Sequence, residues 1–514
     1  DEALKSGIEK LRRKREAALL GGGKWRIRKQ HASGRLTARE RIERLLDTGS
    51  FVETNMLAGL PEDSKHNLFG DGVVIGYGKI DERRVGIFSQ DFTVNAGSTG
   101  PIHRGKMTNI IDKAMKIGIP IIGLWDSTGG RLDQSNPSMP CARSSFFRRF
   151  TEASGVIPQI SAILGPAAGN AGYGAALTDF IFMADGISHT FATGPLAVKK
   201  AMGENIDMEA LGGARVHCQL SGLADLRVRT EDECFAKIRT LLSYLPANNN
   251  EYPPRVLTED DQQEMVNQLN ELVPSDGSRV YDMSRIIHHI LDNGDFFELK
   301  PEFARNLIIG FGRLNGYSVG IVANQPLHMG GALTIDASDK EARFIRFCDA
   351  FNIPLVFFVD TPGYLPGSLQ EHGGILRHGA KVLYAVAESV VPKIAVLIRK
   401  AYGGAKPAMG IDKDMGVDHI YAWPIAESAV MGAEASVRVI FRKEIAQAQN
   451  PEKFIRRKVS EFKETADAYS MVYGELVDDV IEPQDTRARL IATLENLQGK
   501  KESKPAKKHG NMPL

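Results

Sequence analysis

Cysteine is scarce in this chain of 514 residues, which contains four: Cys141, Cys218, Cys234 and Cys348. None belongs to a Cys-x-x-Cys pair, so the sequence offers no zinc or redox motif of that type. A chain of this length also does not need disulfides to hold its core together. This cysteine usage predicts a reducing compartment, which we take to be the cytoplasm.

Excess charge and long hydrophobic runs are also missing. The 64 Lys and Arg residues nearly balance the 63 Asp and Glu residues, which argues against nucleic acid or an anionic membrane as partner. The longest apolar stretches, such as 119–125 and 356–359, have the length of a strand and cannot span a bilayer. The charged segment 1–20 lacks the apolar centre of a signal peptide. We expect no membrane insertion.

Neither a Ser-His-Asp triad nor a metal-ligand spacing is present. His372 and His378 are too far apart in the sequence to share a helical face well enough to chelate a metal. Asp126 and Asp360 each end a predicted strand, where we expect them to accept hydrogen bonds from the N–H groups of the following turn. The sequence therefore predicts no metal site and no aspartate acting as a general base.

What the chain does contain is an internal repeat. Segment 73–90, VVIGYGKIDERRVGIFSQ, resembles segment 307–324, LIIGFGRLNGYSVGIVAN, in an alignment that pairs the first residue of each. The same offset in numbering relates Ile119-Pro120 to Ile353-Pro354, Pro158 to Pro392, and Gly169 to Gly403. One register across several strand-like segments predicts two homologous domains. The polar stretch 247–277 contains the boundary, and we assign residues 1–260 and 261–514 to the two domains.

Each predicted domain alternates short β-rich runs with helical runs. In the first domain, residues 85–90 form a strand pattern, 103–118 a helix pattern and 119–126 a further strand pattern. This alternation predicts an α/β fold with strand–helix crossovers.

A loop of small residues follows the last of these strands in each domain. The loops are GPAAGNAGYGAAL at 165–177 and RKAYGGAKPAMG at 399–410. Small residues let a ligand approach the backbone, and the N–H groups at the start of the following helix favour an oxyanion. A single loop of this kind is equally well explained as a tight turn, but two equivalent loops favour paired sites. A second pair of loops follows the preceding strands, at 126–134 and 360–374.

The motifs of the chain, taken in order, resemble those of the biotin-dependent carboxyltransferase family. They include ARERI (38–42), SQDFTV (89–94), ALTDF (176–180), LGGA (211–214), VGIVANQP (319–326), NIPLVFFVDTPGYLPG (352–367), RHGAK (377–381), RKAYGGA (399–405), YAWP (421–424), AVMGAE (429–434) and PAKKHGN (505–511). The resemblance covers essentially the whole chain. It implies two crotonase-like ββα-spiral domains, with acyl-CoA on the N-terminal domain and biotin on the C-terminal one. It also implies a hexamer built as a trimer of dimers.

The same resemblance assigns roles to the loop residues. Backbone N–H groups of Gly169 and Asn170 are expected to serve the acyl thioester, and those of Gly404 and Ala405 the biotin carbonyl. The resemblance adds a set of further contacts: Gly129, Gly130, Ala171, Lys406 and Pro407 for the substrate, and Gly363, Tyr364 and Gly403 for biotin. The sequence departs from the usual family pattern at Thr128, Asn170 and Lys406-Pro407, all expected near the acyl pocket.

Two further expectations concern lysines and arginines. Arg35, Arg39 and Lys106 are candidates for binding the CoA phosphates, although they are equally well explained as solvated helix charges. Segment 114–117, AMKI, looks like the signature around a biotinyl lysine, but Lys116 ends a predicted helix rather than a hairpin. The chain is therefore expected to carry no biotin and to use a separate carrier.

The function implied by the resemblance is carboxyl transfer between carboxybiotin on that carrier and the α-carbon of a short-chain acyl-CoA, with propionyl-CoA and methylmalonyl-CoA favoured. The expected partners are a biotin carboxyl carrier protein and either biotin carboxylase or a membrane decarboxylase partner. A sodium-pumping methylmalonyl-CoA decarboxylase and a transcarboxylase remain alternatives within the family. A crotonase-type hydratase or isomerase, or a non-enzymatic scaffold, remains outside it.

Overall fold

The computed structural model describes residues 2–59, 69–132, 145–258 and 263–513. The chain divides into two compact units, Asp1–Glu251 and Tyr252–Leu514, so the division falls within the polar stretch 247–277. None of the described helices is long and apolar enough to cross a membrane. Cys141 lies outside the described residues, whereas Cys218, Cys234 and Cys348 are buried free thiols.

The first unit combines a set of helices with an eight-stranded sheet. Its helices are α1 (Glu2–Leu19), α2 (Lys24–Ala32), α3 (Ala38–Leu45), α4 (Pro101–Ile117), α5 (Phe146–Ala153), α6 (Asn170–Ala176), α7 (Pro195–Met202), α8 (Met208–Gly212), α9 (Ala214–Gln219) and α10 (Glu231–Tyr244). Its strands are β1 (Val52–Thr54), β2 (Val73–Ile80), β3 (Arg83–Gln90), β4 (Ile121–Ser127), β5 (Gln159–Ala168), β6 (Phe180–Ala184), β7 (His189–Phe191) and β8 (Leu226–Val228).

The second unit repeats this plan with a longer helical segment near its end. Its helices are α11 (Gln263–Asn267), α12 (Leu269–Leu272), α13 (Met283–Ile290), α14 (Ile335–Ala350), α15 (Ser368–Gly373), α16 (Ile375–Glu388), α17 (Ala405–Ala408), α18 (Ala433–Ile440), α19 (Arg442–Gln447), α20 (Pro451–Glu464), α21 (Ala468–Tyr473) and α22 (Thr486–Asn496). Its strands are β9 (Phe296–Leu299), β10 (Leu307–Leu314), β11 (Tyr317–Asn324), β12 (Leu355–Thr361), β13 (Lys393–Tyr402), β14 (His419–Ala422), β15 (Glu427–Ala429) and β16 (Asp479–Val480).

The two sheets have the same topology. The first has the strand order β1-β2-β3-β4-β5-β6-β8, with β7 beside β5, and the second has β9-β10-β11-β12-β13-β14-β16, with β15 beside β13. In each sheet the first three strands pair antiparallel and the following strands pair parallel. The predicted α/β class and the predicted duplication are confirmed.

The parallel strands are apolar along nearly their whole length because helices cover the sheet. All residues of β4 and of β12 are buried. In the first unit, Trp125 on β4 packs against the rings of Phe88 and Phe150, and its indole N–H donates to Ser161 Oγ at 2.8 Å. A rigid core of this kind fixes the carboxyl ends of the strands, where the small-residue loops begin.

Candidate active site

The two small-residue loops are built in the same way. Strand β5 ends at Ala168 and α6 begins at Asn170, while β13 ends at Tyr402 and α17 begins at Ala405. The equivalent residues Gly169 and Gly403 have φ values of 55° and 58°, a region that favours glycine. Glycine therefore permits the sharp turn by which each strand passes into its helix.

The hydrogen bonds of these turns identify which N–H groups can bind a ligand. The Gly169 N–H donates to the Phe191 carbonyl on β7 at 3.0 Å, and the Gly403 N–H donates to Ala429 on β15 at 3.1 Å. The predicted role of the Gly169 N–H is therefore corrected, because that group already has a backbone acceptor. The N–H groups of Asn170 and Gly404, where the helices start, have no intrahelical acceptor.

A second N–H group comes from the neighbouring loop of each unit. In the first unit the Thr99 N–H donates to the Gly129 carbonyl at 2.8 Å, and the Thr99 carbonyl accepts from the Arg131 N–H at 3.2 Å. This is a parallel bridge centred on Gly130. In such a bridge the central residue's own N–H points away from the partner strand, so the Gly130 N–H is directed away from Thr99.

The second unit repeats this bridge around Tyr364. The Leu333 N–H donates to Gly363 at 3.0 Å, and the Leu365 N–H donates to the Leu333 carbonyl at 2.8 Å. At the offset of the internal repeat, Tyr364 and Gly404 are thus the equivalents of Gly130 and Asn170.

The two loops of each unit lie against one another. A Cβ placed on Gly129 would lie 2.8 Å from the Ala168 carbonyl oxygen, and one placed on Gly404 would lie 3.7 Å from the Tyr364 ring. In each unit the loop of Gly130 or Tyr364 thus lies beside the loop of Asn170 or Gly404, and the backbone N–H groups of these four residues are candidates for binding an oxyanion. From the sequence, Gly130 was predicted only to contact the substrate and Tyr364 only to contact biotin. The signal that could have identified them is the repeat offset, which relates Gly130 to Tyr364 just as it relates Asn170 to Gly404.

The remaining predicted loop residues have varied positions. Ala171 and Ala405 are fully buried, so their side chains belong to the core and do not line a site. Lys406 and Pro407 lie half-buried in α17, and the Lys406 N–H donates to the Gly403 carbonyl at 3.2 Å. The N–H of Gly363 donates to Thr361 Oγ1 at 3.2 Å.

A small apolar cavity of about 130 Å³ adjoins the first loop. It is lined by Gly169, Gly172, Tyr173, Thr190, Phe191 and His217, among others. The imidazole of His217 contacts the Thr190 carbonyl and Ser221 Oγ, both at 2.8 Å. Because burial lowers the pKa of His217, the ring is held as a neutral hydrogen-bonding group.

The cations predicted to bind CoA phosphates have partners within the first unit. Arg39 contacts both carboxylate oxygens of Glu53, at 2.5 and 3.0 Å. Lys106 is 3% exposed and donates to the backbone carbonyls of Gly70 and Val73, and burial lowers its pKa to about 8. Arg35 pairs with Asp126 at 2.7 Å. These contacts give all three side chains partners within the first unit, and Arg35 lies beside Gly165 at the start of the first small-residue loop.

The expectation for the strand-end aspartates was wrong about their partners. Asp126 accepts hydrogen bonds from Arg35 and Arg41 at 2.7 and 2.9 Å, and Asp360 accepts from Arg399 at 3.0 Å. Both carboxylates are buried, and the neighbouring cations offset the cost of removing these charges from water. In the described ranges no three His, Cys, Asp or Glu side chains form a group that could hold a metal, and His378 pairs instead with Asp339 at 2.8 Å.

Two homologous α/β units, each with a small-residue loop where a parallel strand passes into a helix, define the class of a duplicated α/β protein. A family model described as "Carboxyl transferase domain" matches residues 29–512. The chain belongs to this family, and it is a biotin-dependent acyl-CoA carboxyltransferase with two crotonase-like domains.

Individual relatives match over nearly their whole length. The carboxyltransferase subunit of propionyl-CoA carboxylase from Haloferax mediterranei is 49% identical, over 99% of this chain and 100% of the relative. The α subunit of methylmalonyl-CoA decarboxylase from Propionigenium modestum is 48% identical, over 99% of both chains. The crystal structure of transcarboxylase 12S, a hexamer with methylmalonyl-CoA bound, has a TM-score of 0.94 at 44% identity and covers 99% of this chain and 98% of its own.

Proposed function

We propose that this chain transfers a carboxyl group between carboxybiotin on a separate carrier protein and the α-carbon of propionyl-CoA or methylmalonyl-CoA. The observation that carries the proposal is the repeated donor pair, Gly130 with Asn170 and Tyr364 with Gly404. Relatives named for propionyl-CoA carboxylase and methylmalonyl-CoA decarboxylase support the choice of acyl group.

In the proposed reaction the N-terminal unit binds the acyl-CoA and the C-terminal unit binds biotin. The N–H groups of Gly130 and Asn170 would stabilise the thioester oxygen when the α-carbon becomes an enolate, and those of Tyr364 and Gly404 would bind the biotin carbonyl oxygen. Bound carboxybiotin supplies the carboxyl group and, after its release, the ureido nitrogen that takes the α-proton. Ala405 remains a third candidate backbone donor on the biotin side. Loss of one donor is expected to cost about 3–4 kcal/mol of transition-state stabilisation.

The assembly and the compartment are also proposals. We propose a hexamer that is a trimer of dimers, in line with the hexameric transcarboxylase 12S. Relatives named for both directions of transfer are almost equally similar to this chain. The direction would therefore be set by the partner, which is either a biotin carboxyl carrier protein with biotin carboxylase or a membrane decarboxylase partner. Buried free thiols fit a reducing cytoplasm.

The test is an assay of the purified chain with methylmalonyl-CoA and free biotin. Formation of propionyl-CoA that depends on biotin supports the proposal, whereas hydration of crotonyl-CoA without biotin would favour a crotonase-type hydratase. After expression with a biotin ligase, the chain itself should not react with streptavidin, because Lys116 lies in the last turn of α4. Labelling of Lys116 would contradict the separate carrier.

A further inference from the structure

Thr99 lies at the junction of the two donor loops of the first unit. It is 2% exposed, its N–H donates to the Gly129 carbonyl at 2.8 Å, and its carbonyl accepts from the Arg131 N–H at 3.2 Å. Its hydroxyl oxygen accepts a hydrogen bond from the side-chain amide of Asn170 at 2.6 Å. One residue thus holds Gly130 through its backbone and Asn170 through its side chain.

The orientation of the Asn170 side chain depends on this contact. Within the described part of the chain, the amide oxygen of Asn170 is buried and has no hydrogen-bond partner. The amide nitrogen lies close to the neighbouring loop, since a Cβ placed on Gly130 would be 3.9 Å from it. Without the Thr99 hydroxyl, the Asn170 amide would lose its hydrogen bond to the Gly130 side of the loop.

The second unit holds its loops together differently. At the equivalent positions of the repeat, Thr99 is replaced by Leu333 and Asn170 by Gly404, so neither the hydroxyl nor the amide is present. There the Tyr364 ring packs on Gly404, with ring carbons 3.7 and 3.8 Å from a Cβ placed on that glycine. The side-chain hydrogen bond between Thr99 and Asn170 therefore has no equivalent at the matching positions of the second unit.

The Thr99 hydroxyl also donates to the Gly129 carbonyl at 3.2 Å, but the Gly130 loop has further anchors. The Arg131 guanidinium pairs with Asp71 at 2.5 Å and donates to Ser98 Oγ at 3.2 Å, and all three side chains are buried. Removing the hydroxyl should therefore leave the loop folded while it changes the alignment of the loop with α6.

We propose that Thr99 is a positioning residue for carboxyl transfer, which sets the spacing of the Gly130 and Asn170 donors through its hydrogen bond to the Asn170 side chain. This inference rests on the proposed function of those donors at the acyl thioester. Misplacement of catalytic groups by about 1 Å can lower a rate by about 100-fold. Loss of one hydrogen bond should shift the donors by less than this distance. It should therefore slow the transfer without preventing substrate binding.

The primary variant is Thr99→Val, which keeps the shape of the side chain and removes its hydroxyl. We expect kcat for transfer from methylmalonyl-CoA to free biotin to fall about tenfold, with the KM for each substrate changed by less than about twofold. Thr99→Ser should restore most of kcat. Thr93→Val is the matched control, because Thr93 is another buried threonine whose hydroxyl accepts from the Gly22 N–H, outside the donor loops.

A double-mutant cycle separates positioning from general damage. Asn170→Gly keeps the backbone N–H but deletes the amide, so Thr99→Val should lower kcat less in that background than in the wild type. Additive losses, or an unchanged kcat in Thr99→Val, would overturn the inference. If Thr99→Val does not assemble, Asn170→Gly alone decides, since an unchanged kcat would likewise overturn it. Absence of any transfer by the wild-type enzyme would instead refute the proposed function.

Discussion

Lys106 and Lys340 occupy equivalent positions of the repeat and perform the same structural task in the two units. The Lys106 ammonium donates to the carbonyl of Val73, the first residue of β2, at 2.5 Å. The Lys340 ammonium donates to Leu307, the first residue of β10, at 2.6 Å. Each lysine therefore connects a long helix, α4 or α14, to the start of the neighbouring strand, and the two buried ammonium groups are a feature of the repeat itself.

Replacing either lysine should reduce stability rather than substrate binding. Lys340→Met removes the ammonium donor from the carbonyls of Phe303 and Leu307, while the Lys300 carbonyl keeps a bond from the Phe303 N–H at 3.2 Å. Because each unsatisfied buried acceptor costs roughly 1–3 kcal/mol, we expect the free energy of unfolding to fall by about 3 kcal/mol. Lys106→Met should behave similarly, as measured by thermal denaturation alongside the KM for acyl-CoA. An increased KM at an unchanged Tm would instead support the predicted phosphate contact of Lys106.

Stability should decrease in mild acid because of His103. Burial, together with the nearby Arg131, lowers the pKa of His103 from 6.5 to about 3. Below pH 6.5 His103 becomes protonated in the unfolded chain but stays neutral in the native state. The free energy of unfolding therefore falls as the pH drops towards 3. The loss from this residue is about 2 kcal/mol at pH 5.

The measurement is the Tm of the wild type and of His103→Gln at pH 7 and pH 5. Glutamine can keep a hydrogen bond to Gln90 or to the Asp71 carbonyl, which His103 contacts at 3.2 and 3.0 Å. We expect the variant to lose less stability between the two pH values. An identical loss in both proteins would show that other groups govern the acid response.

Larger side chains at the two donor pairs should impair the binding of different ligands. Gly404→Val would place a side chain beside the Tyr364 ring, where a Cβ meets only ordinary contacts, and should abolish use of biotin while acyl-CoA binding persists. Gly130→Val is the matched change in the first unit, since a Cβ there lies 3.9 Å from the nearest described atom of Asn170. It should raise the KM for acyl-CoA first.

These variants are better than a larger residue at Ala171, which would overpack the core. Binding of acyl-CoA and of biotin is measured separately by calorimetry, on protein whose oligomeric state matches the wild type. Equal loss of both ligands in both variants would contradict the proposal that the first unit binds acyl-CoA and the second unit binds biotin.

Arg39→Ala should mainly affect folding. The Arg39 and Glu53 side chains are 22% and 9% exposed, so the substitution leaves a nearly buried carboxylate unpaired. We expect a loss of about 1–3 kcal/mol in the free energy of unfolding, with the KM for acyl-CoA changed by less than about twofold. The double variant Arg39→Ala, Glu53→Gln should recover part of the stability. A KM that rises with the Arg39 change in both backgrounds would show a direct phosphate contact.

The sequence by itself determined the duplication, the α/β class and the position of the small-residue loops. These properties are local or periodic: strands between helices are apolar, and a turn with positive φ, as at Gly169 and Gly403, selects glycine. The constant offset of the repeat then related each loop in one unit to its counterpart in the other.

Only the tertiary structure decided which backbone donors are available. The Gly169 N–H is occupied by Phe191, which lies on a later strand, while the Thr99 bridge leaves the Gly130 N–H directed away from it. In the same way, Lys106 and Arg39 are cations of the kind that bind phosphates. In the folded chain, however, Lys106 donates to backbone carbonyls and Arg39 pairs with a carboxylate. Whether a polar group can bind a ligand depends on its partners in space, and those partners are distant in the sequence.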